Sequence, residues 1–262
     1  MIFCIDIGNS NIKYAIFDGS EVKGTFRVTS KRDATSDEYG VIVRDLLREA
    51  GIPKKAIKGV IMSSVIPSLN YTMEHMCRDY LGVEPLIIGP GVKTGLNIKA
   101  DNPKEVGSDI IVDSVSAIKK LGVGTPIIAI DFGTATTFDI ISEKGELIGV
   151  VISPGIKSAL DSLTNSTANL PRIELEKPKT VIGKNTVSCM QSGIIYGFAG
   201  LVDNIIAKIK EELERPDTRV IATGGLGRII YKETKSIDYY DNLLTLNGLR
   251  YIYEMNVREV NE

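Results

Sequence analysis

Short apolar runs alternate with stretches of helical period along this chain, which is the pattern of an α/β protein. Ile2–Ile7 reads as an apolar strand, and Asn11–Asp18 and Glu21–Val28 as two more, joined by the turn Asp18-Gly19-Ser20. Ser36–Ala50 has the spacing of a helix and is ended by Gly51 and Pro53. A buried strand follows at Val60–Val65, then a helix at Ser68–Leu81, a short strand at Pro85–Ile88 and a helix at Ser108–Leu121.

The order then starts again. Pro126–Ile130 is apolar, Asp131-Phe132-Gly133 turns, Thr136–Ile141 returns, and Glu143-Lys144-Gly145 turns into Glu146–Ile152. Ile5-Asp6-Ile7-Gly8-Asn9-Ser10 aligns with Ile130-Asp131-Phe132-Gly133-Thr134-Ala135 in the shared context of strand, Asp-x-Gly, strand, acidic-glycine turn, strand. The chain therefore reads as a duplicated α/β unit with domains at residues 1–117 and 118–262. No low-complexity linker separates them. The second half continues with a helix near Ile156–Leu163, an irregular polar stretch through Thr180 and a long helix at Thr186–Glu214. A strand at Arg219–Ala222, the turn Thr223-Gly224-Gly225 and another helix follow.

Composition narrows the chemistry. At 262 residues with 31 basic and 33 acidic side chains, the net charge of -2 gives no bulk attraction to nucleic acid. Cys4, Cys77 and Cys189 are scattered and odd in number, which fits neither a disulfide framework nor a zinc site. The start lacks a signal peptide and no segment is expected to span a bilayer, so a cytoplasmic protein is the expectation. His75 is the only histidine and is read as a surface residue of a helix. Without a second histidine, Ser-His-Asp chemistry and a histidine-rich metal site are excluded, and acid–base work falls to carboxylates.

Three loops are candidates for that work. In Asp6-Ile7-Gly8-Asn9-Ser10-Asn11 a strand delivers a carboxylate, glycine permits a tight bend, and Asn9, Ser10 and bared N–H groups suit a phosphate; Lys13 adds a positive charge. Asp131-Phe132-Gly133-Thr134-Ala135-Thr136-Thr137 repeats the chemistry, with hydroxyls for phosphate oxygens and a carboxylate for a hydrated cation. Either alone is also explained as a plain hairpin; two in one chain are far more specific. Gly224 and Gly225, after a strand and before a helix, let a flat base or ribose lie against backbone, although a plain turn explains them too. The P-loop and Gly-x-Gly-x-x-Gly fingerprints are absent.

These loops resemble those shared by actin, sugar kinases and heat-shock chaperones. The rest of the chain is similar to the type III pantothenate kinases, through Thr94-Gly95-Leu96, Asn102–Asp109, Pro154-Gly155, Thr167–Pro171, Gly183–Thr186, Ser192-Gly193 and Leu244–Leu249. The resemblance implies two RNase H-like (actin-like ATPase) domains, each a mixed sheet flanked by helices, with nucleotide in the cleft between them. It implies phosphorylation of pantothenate by ATP with Mg2+, the first step of coenzyme A biosynthesis. Asp6, Ile7, Gly8, Asn9, Ser10, Asn11, Ile12, Lys13 and Thr134 would contact ATP, and Asp131 would hold a monovalent cation, K+ or NH4+. Gly107, Ser108, Asp109 and position 110 would lie against pantothenate, with Asp109 as proton acceptor, and Thr186 would reach substrate across a homodimer interface. Residue chemistry alone favours a helix cap for Asp109, and the resemblance brings the catalytic role forward.

Two positions depart from the family. It usually has arginine where Ile110 stands and a substrate-contacting tyrosine where Ala100 stands. Each lost charge-assisted hydrogen bond costs about 1.5–3 kcal/mol. Three readings follow: a pantothenate kinase in which Lys99 or Lys104 replaces the arginine, a same-fold kinase for another small alcohol, or a weakly active or inactive nucleotide-binding regulatory relative.

Overall fold

The computed structural model describes residues 1–258 and divides the chain into two compact units. The first takes in Met1–Gly95, Lys104–Ser116 and the described residues from Thr245 on; the second takes in Leu96–Pro103 and Ala117–Leu244. Residues 259–262, which close the second expected domain, lie outside the described residues.

The first unit is built on β1 (Ile2–Ile7), β2 (Asn11–Asp18), β3 (Glu21–Thr29), β4 (Gly59–Ser64) and β5 (Pro85–Ile87), in the sheet order β3-β2-β1-β4-β5. β2 runs antiparallel to β1 and β3, whereas β4 lies parallel to β1 and β5 parallel to β4. β1 is central and its side chains from Phe3 to Ile7 are buried, which is why it reads as a continuous apolar run rather than an alternating one. Outer β3 alternates strictly between half-buried and exposed positions.

Helix α1 (Ser36–Glu49) starts at a capping box: the Thr35 hydroxyl accepts from the Glu38 N–H, and the Glu38 carboxylate accepts from the Thr35 N–H. Its buried Tyr39, Val43 and Leu47 share a core with Ile5, Ile7 and Ile16 of the sheet. The expected helix at Ser68–Leu81 is α2 (Pro67–Met76) continued by one π-helical turn, Cys77–Leu81, and ended by Gly82 at φ 73°. His75 lies on α2, half-buried, with its ring tilted at 35° against that of exposed Tyr71. Helix α3 (Ser108–Leu121) begins in the first unit.

The second unit repeats the plan. β6 (Asn97–Ile98) is an added edge strand, and β7 (Ile127–Phe132), β8 (Ala135–Ile141), β9 (Glu146–Pro154), β10 (Arg219–Thr223) and β11 (Tyr239–Tyr240) complete the order β11-β10-β7-β8-β9-β6. Strand for strand, β7 to β11 have the neighbours and directions of β1 to β5. The likeness extends to an irregularity: the register slips between Ile16 and Phe17 in one sheet and between Ile140 and Ile141 in the other. Asp131 and Phe132, expected in a turn, belong to β7, because their pairing with Thr137 and Thr136 continues the ladder.

Helices α4 (Ile156–Ser166), α5 (Thr186–Glu212) and α6 (Gly227–Tyr231) complete this unit, and α7 (Leu244–Arg258) returns to the first. Asn185 caps α5 by accepting from the Ser188 N–H. By length and composition α5 meets the requirement for a membrane span, contrary to the expectation that no segment would. Its Ile194, Ile195, Phe198, Val202 and Ile206 instead line the core of the second unit, against Ile128, Ile130 and Phe138 of the sheet.

Candidate active site

In the first unit the chemistry gathers at the carboxyl end of β1. Asp6, 6 % exposed, pairs in register with Lys13 on one side and Ser63 on the other. Lys13 Nζ lies 3.3 Å from Asp6 Oδ2, and the Ser63 hydroxyl donates to Asp6 Oδ1 at 2.9 Å. The carboxylate is thus gripped at both oxygens. Beyond it, the hairpin exposes Asn9 and Ser10 and is braced from the end of β3. Ser30 donates to the Gly8 carbonyl at 2.6 Å, the Ser30 N–H donates to Ser10, and Arg32 reaches the Asn9 side chain. A Cβ on Gly8 would stand 3.1 Å from the Asn11 carbonyl that closes the turn, so the bend is tight because residue 8 is glycine. Ile7 and Ile12 pair across the hairpin with side chains wholly in the core, so they face a ligand only through backbone.

Asp109 lies in the first turn of α3 and not at the cap position; its Oδ1 accepts from the Ile110 N–H at 3.0 Å. Burial pushes its acidity constant above the ordinary aspartate range. The Asp6 charge adds to that, while the Ile110 N–H and Lys13 oppose it. A carboxylate of raised proton affinity, held beside a lysine and a second carboxylate, is suited to take a proton from an alcohol. Gly107 makes room for it, since a Cβ there would stand 2.3 Å from Asp109 Oδ1. The Ser108 hydroxyl does not reach outward: it accepts from the Ser64 N–H at 3.1 Å and donates to the Ser64 carbonyl at 3.0 Å.

In the second unit Asp131 occupies the place of Asp6 on β7, with Thr137 and Thr223 as register partners. Gly224 is buried at φ 101°, and a Cβ there would meet the Phe132 carbonyl at 2.6 Å and Asp131 Oδ1 at 2.8 Å. Gly225 is exposed beside it, and the Tyr240 hydroxyl donates to the Gly224 carbonyl. Thr134 is exposed at the hairpin tip, where its carbonyl accepts from the Ser158 hydroxyl at 2.7 Å. Gly155 lets α4 start against that tip, because a Cβ there would stand 2.3 Å from the Thr134 carbonyl. These bare, glycine-lined hairpins with small hydroxyls fit phosphate oxygens, and the hard carboxylate oxygens of Asp131 fit a cation. Among the described residues no three His, Cys, Asp or Glu side chains converge on one point.

The structure therefore brings Asp6, Lys13 and Asp109 together in the first unit, and Asp131 and Gly224 together in the second. Ala100 follows β6 and is half-buried, and Thr186 is exposed at the start of α5. Lys99, a candidate replacement for the missing arginine, is drawn to Glu146 at 3.6 Å. Sequence reading missed Ser63, Ser64, Ser30 and Ser158. Ser63 and Ser64 are polar residues closing an otherwise apolar strand, and that contrast was the available signal.

A repeated sheet order with a carboxylate-glycine hairpin on the central strand of each copy defines the actin-like fold of kinases and ATPases. Solved structures of that fold cover nearly the whole chain. A protein from Sinorhizobium meliloti assigned as a 2-dehydro-3-deoxygalactonokinase matches with a TM-score of 0.62 at 11% identity, over 97% of this chain and 96% of that one. A Campylobacter jejuni protein assigned to the Baf family of transcriptional activators gives 0.58 at 17%, over 98% and 99%. The activator of 2-hydroxyisocaproyl-CoA dehydratase from Clostridium difficile, with bound ADPNP, gives 0.52 at 12%, over 100% and 97%. The chain belongs to the type III pantothenate kinase family, whose model matches residues 2–208.

Proposed function

We propose that this chain phosphorylates the primary alcohol of pantothenate to 4'-phosphopantothenate with ATP, in the cytoplasm, as the first step of coenzyme A biosynthesis. The single observation that carries this reading is the half-buried carboxylate of Asp109, of raised proton affinity, whose neighbour Ser108 is hydrogen-bonded to Ser64 next to Ser63, the register partner of Asp6. Asp109 orients the acceptor hydroxyl and takes its proton late in the transfer. Lys13 and the N–H groups of the first hairpin bind the phosphates, and Asp6, fixed by Ser63, orients Lys13. Thr134, Gly224 and Gly225 also contact nucleotide. Asp131 holds K+ or NH4+, and this ion and the Mg2+ that accompanies ATP supply charge neutralisation at the phosphates.

A homodimer is part of this reading. Val181, Ile182 and Val187 are exposed at 63%, 80% and 42% around the exposed Thr186, and a second copy would cover them.

A different acceptor is the second reading, and one observation favours it. Ile110 places an apolar side chain one residue after the base, and Lys99 is engaged with Glu146, which leaves fewer cations for a substrate carboxylate. The deciding experiment is ADP release in MgATP, with and without potassium, with pantothenate and with a panel of small alcohols. Pantothenate-dependent release that needs potassium supports the first reading, and release with another alcohol alone supports the second. MgATP binding with no stimulation by any alcohol overturns both in favour of a regulatory nucleotide-binding role.

A further inference from the structure

We propose that Ser63 and Ser108 are positioning residues that tie Asp6 and Asp109 to one strand, β4, and so fix the spacing of the two carboxylates. The proposal rests on the kinase reading for its kinetic consequences, but not for its geometry.

β4 is apolar from Val60 to Met62 and then ends in Ser63 and Ser64. Parallel pairing with β1 sets Ser63 opposite Asp6 and Ser64 opposite Ile7. Ser63 is wholly buried, and its hydroxyl goes to Asp6 Oδ1 at 2.9 Å while Lys13 takes Oδ2. One residue further along β4, the peptide groups of Ser64 exchange two hydrogen bonds with the Ser108 hydroxyl. That hydroxyl lies in the first turn of α3, and the next residue is Asp109. Two hydroxyls from distant parts of the chain thus hold a phosphate-side carboxylate and an acceptor-side carboxylate on consecutive residues of a single rigid strand.

The repeat supplies an independent observation. On β10, which occupies the place of β4, the residue opposite Asp131 is Thr223, again a buried hydroxyl closing an apolar strand. In both sheets, then, a buried hydroxyl residue stands opposite the carboxylate of the central strand.

Substrate contact is the other role open to Ser108, and the resemblance to the family suggests it. The single proton and one of the two lone pairs of this hydroxyl are taken by Ser64, so it has no proton left to donate to a substrate and its main task here is mechanical.

The experiment compares Ser63→Ala, Ser108→Ala and Ser108→Thr with the wild type in three readouts: MgATP affinity by calorimetry, kcat and acceptor KM, and the 13C carboxyl titration of Asp109. Ser63→Ala is expected to weaken MgATP about tenfold through loss of one charge-assisted hydrogen bond. Ser108→Ala is expected to lower kcat about tenfold or more with MgATP affinity within about twofold, because a misplaced base costs rate rather than nucleotide binding. Both alanine variants are expected to move the Asp109 titration midpoint, and Ser108→Thr, which keeps the hydroxyl, restores it. An unchanged midpoint in both alanine variants overturns the proposal, as does a Ser108→Thr variant that behaves like Ser108→Ala. If the wild type binds MgATP but turns over no alcohol, the kinase reading fails while the titration and affinity arms still decide the positioning roles.

Discussion

Asp6 and Lys13 face each other across the first hairpin, carboxylate to ammonium at 3.3 Å, as a consequence of strand register. Lys13 is 23% exposed at its side chain and Asp6 9%, so the pair is largely withdrawn from solvent, and removing the lysine leaves a buried carboxylate without its cation. Its position at a phosphate loop gives it a role in binding as well. Lys13→Met is therefore expected to raise the KM for ATP about tenfold or more. Thermal melting without nucleotide should also fall, because Asp6 is left buried without its cation, and a drop in melting temperature with unchanged KM would assign the lysine a purely structural part.

Asp109 gives a prediction with a definite sign in pH. Its proton affinity is raised in the folded protein, chiefly by burial and then by Asp6. The native state therefore holds the proton more tightly than the unfolded chain. Stability falls as pH rises from the ordinary aspartate range through the raised folded value, and is flat above it. Asp109→Asn removes this dependence, so the variant should melt at or above the wild-type temperature at neutral pH and lose that advantage in acid. Activity runs the opposite way: wild-type turnover rises as Asp109 loses its proton, and Asp109→Asn is expected to lose about 10²–10⁴ in kcat. Melting curves and kcat measured across the same pH series test both halves.

The hairpins were legible because Asp-x-Gly after an apolar run is a local pattern, and both central strands are buried on two faces. Helix α1 was legible for a similar reason, since Thr35 and Glu38 form its start within one turn. What escaped is long-range. β6 and β11 are two residues each, too short to show a period, and exist only because β9 and β10 offer them an edge. The serines that hold the site find partners 57 and 44 residues away, which no local spacing announces. The reach of Asp131 into its strand was misread for a related reason, because pairing with Thr137 outweighs the turn tendency of Asp-Phe-Gly.

Two glycines separate a strained backbone from a crowded side chain. Gly224 combines φ 101° with a would-be Cβ within 2.8 Å of three atoms, two of them backbone. Alanine there must move the chain as well as adopt a disfavoured conformation, costing about 1–3 kcal/mol for the dihedral alone. Gly224→Ala is expected to lower the melting temperature by several degrees and to weaken nucleotide, whereas Gly225→Ala, at an exposed position, should leave melting unchanged. At Gly107 the first atom met is Asp109 Oδ1, the free end of a side chain. Gly107→Ala is therefore expected to keep the fold and lose kcat about tenfold or more by turning the base aside. Equal losses of stability in Gly107→Ala and Gly224→Ala would contradict this distinction.

The acceptor side is tested by restoring what the family usually carries. Ile110 sits one residue after Asp109 in the first turn of α3, where a guanidinium supplies a planar pair of donors to a carboxylate. Ala100 stands where a phenol is usual. If pantothenate is the acceptor, Ile110→Arg with Ala100→Tyr adds charged and neutral hydrogen bonds to its carboxylate end, and the KM for pantothenate should fall about tenfold or more. The KM for ATP should not follow, because neither position belongs to the phosphate hairpins. Should the double variant lose activity toward an alcohol without a carboxylate while gaining none toward pantothenate, Ile110 is a selective feature of a different acceptor site, since an arginine facing an uncharged substrate is left without its partner.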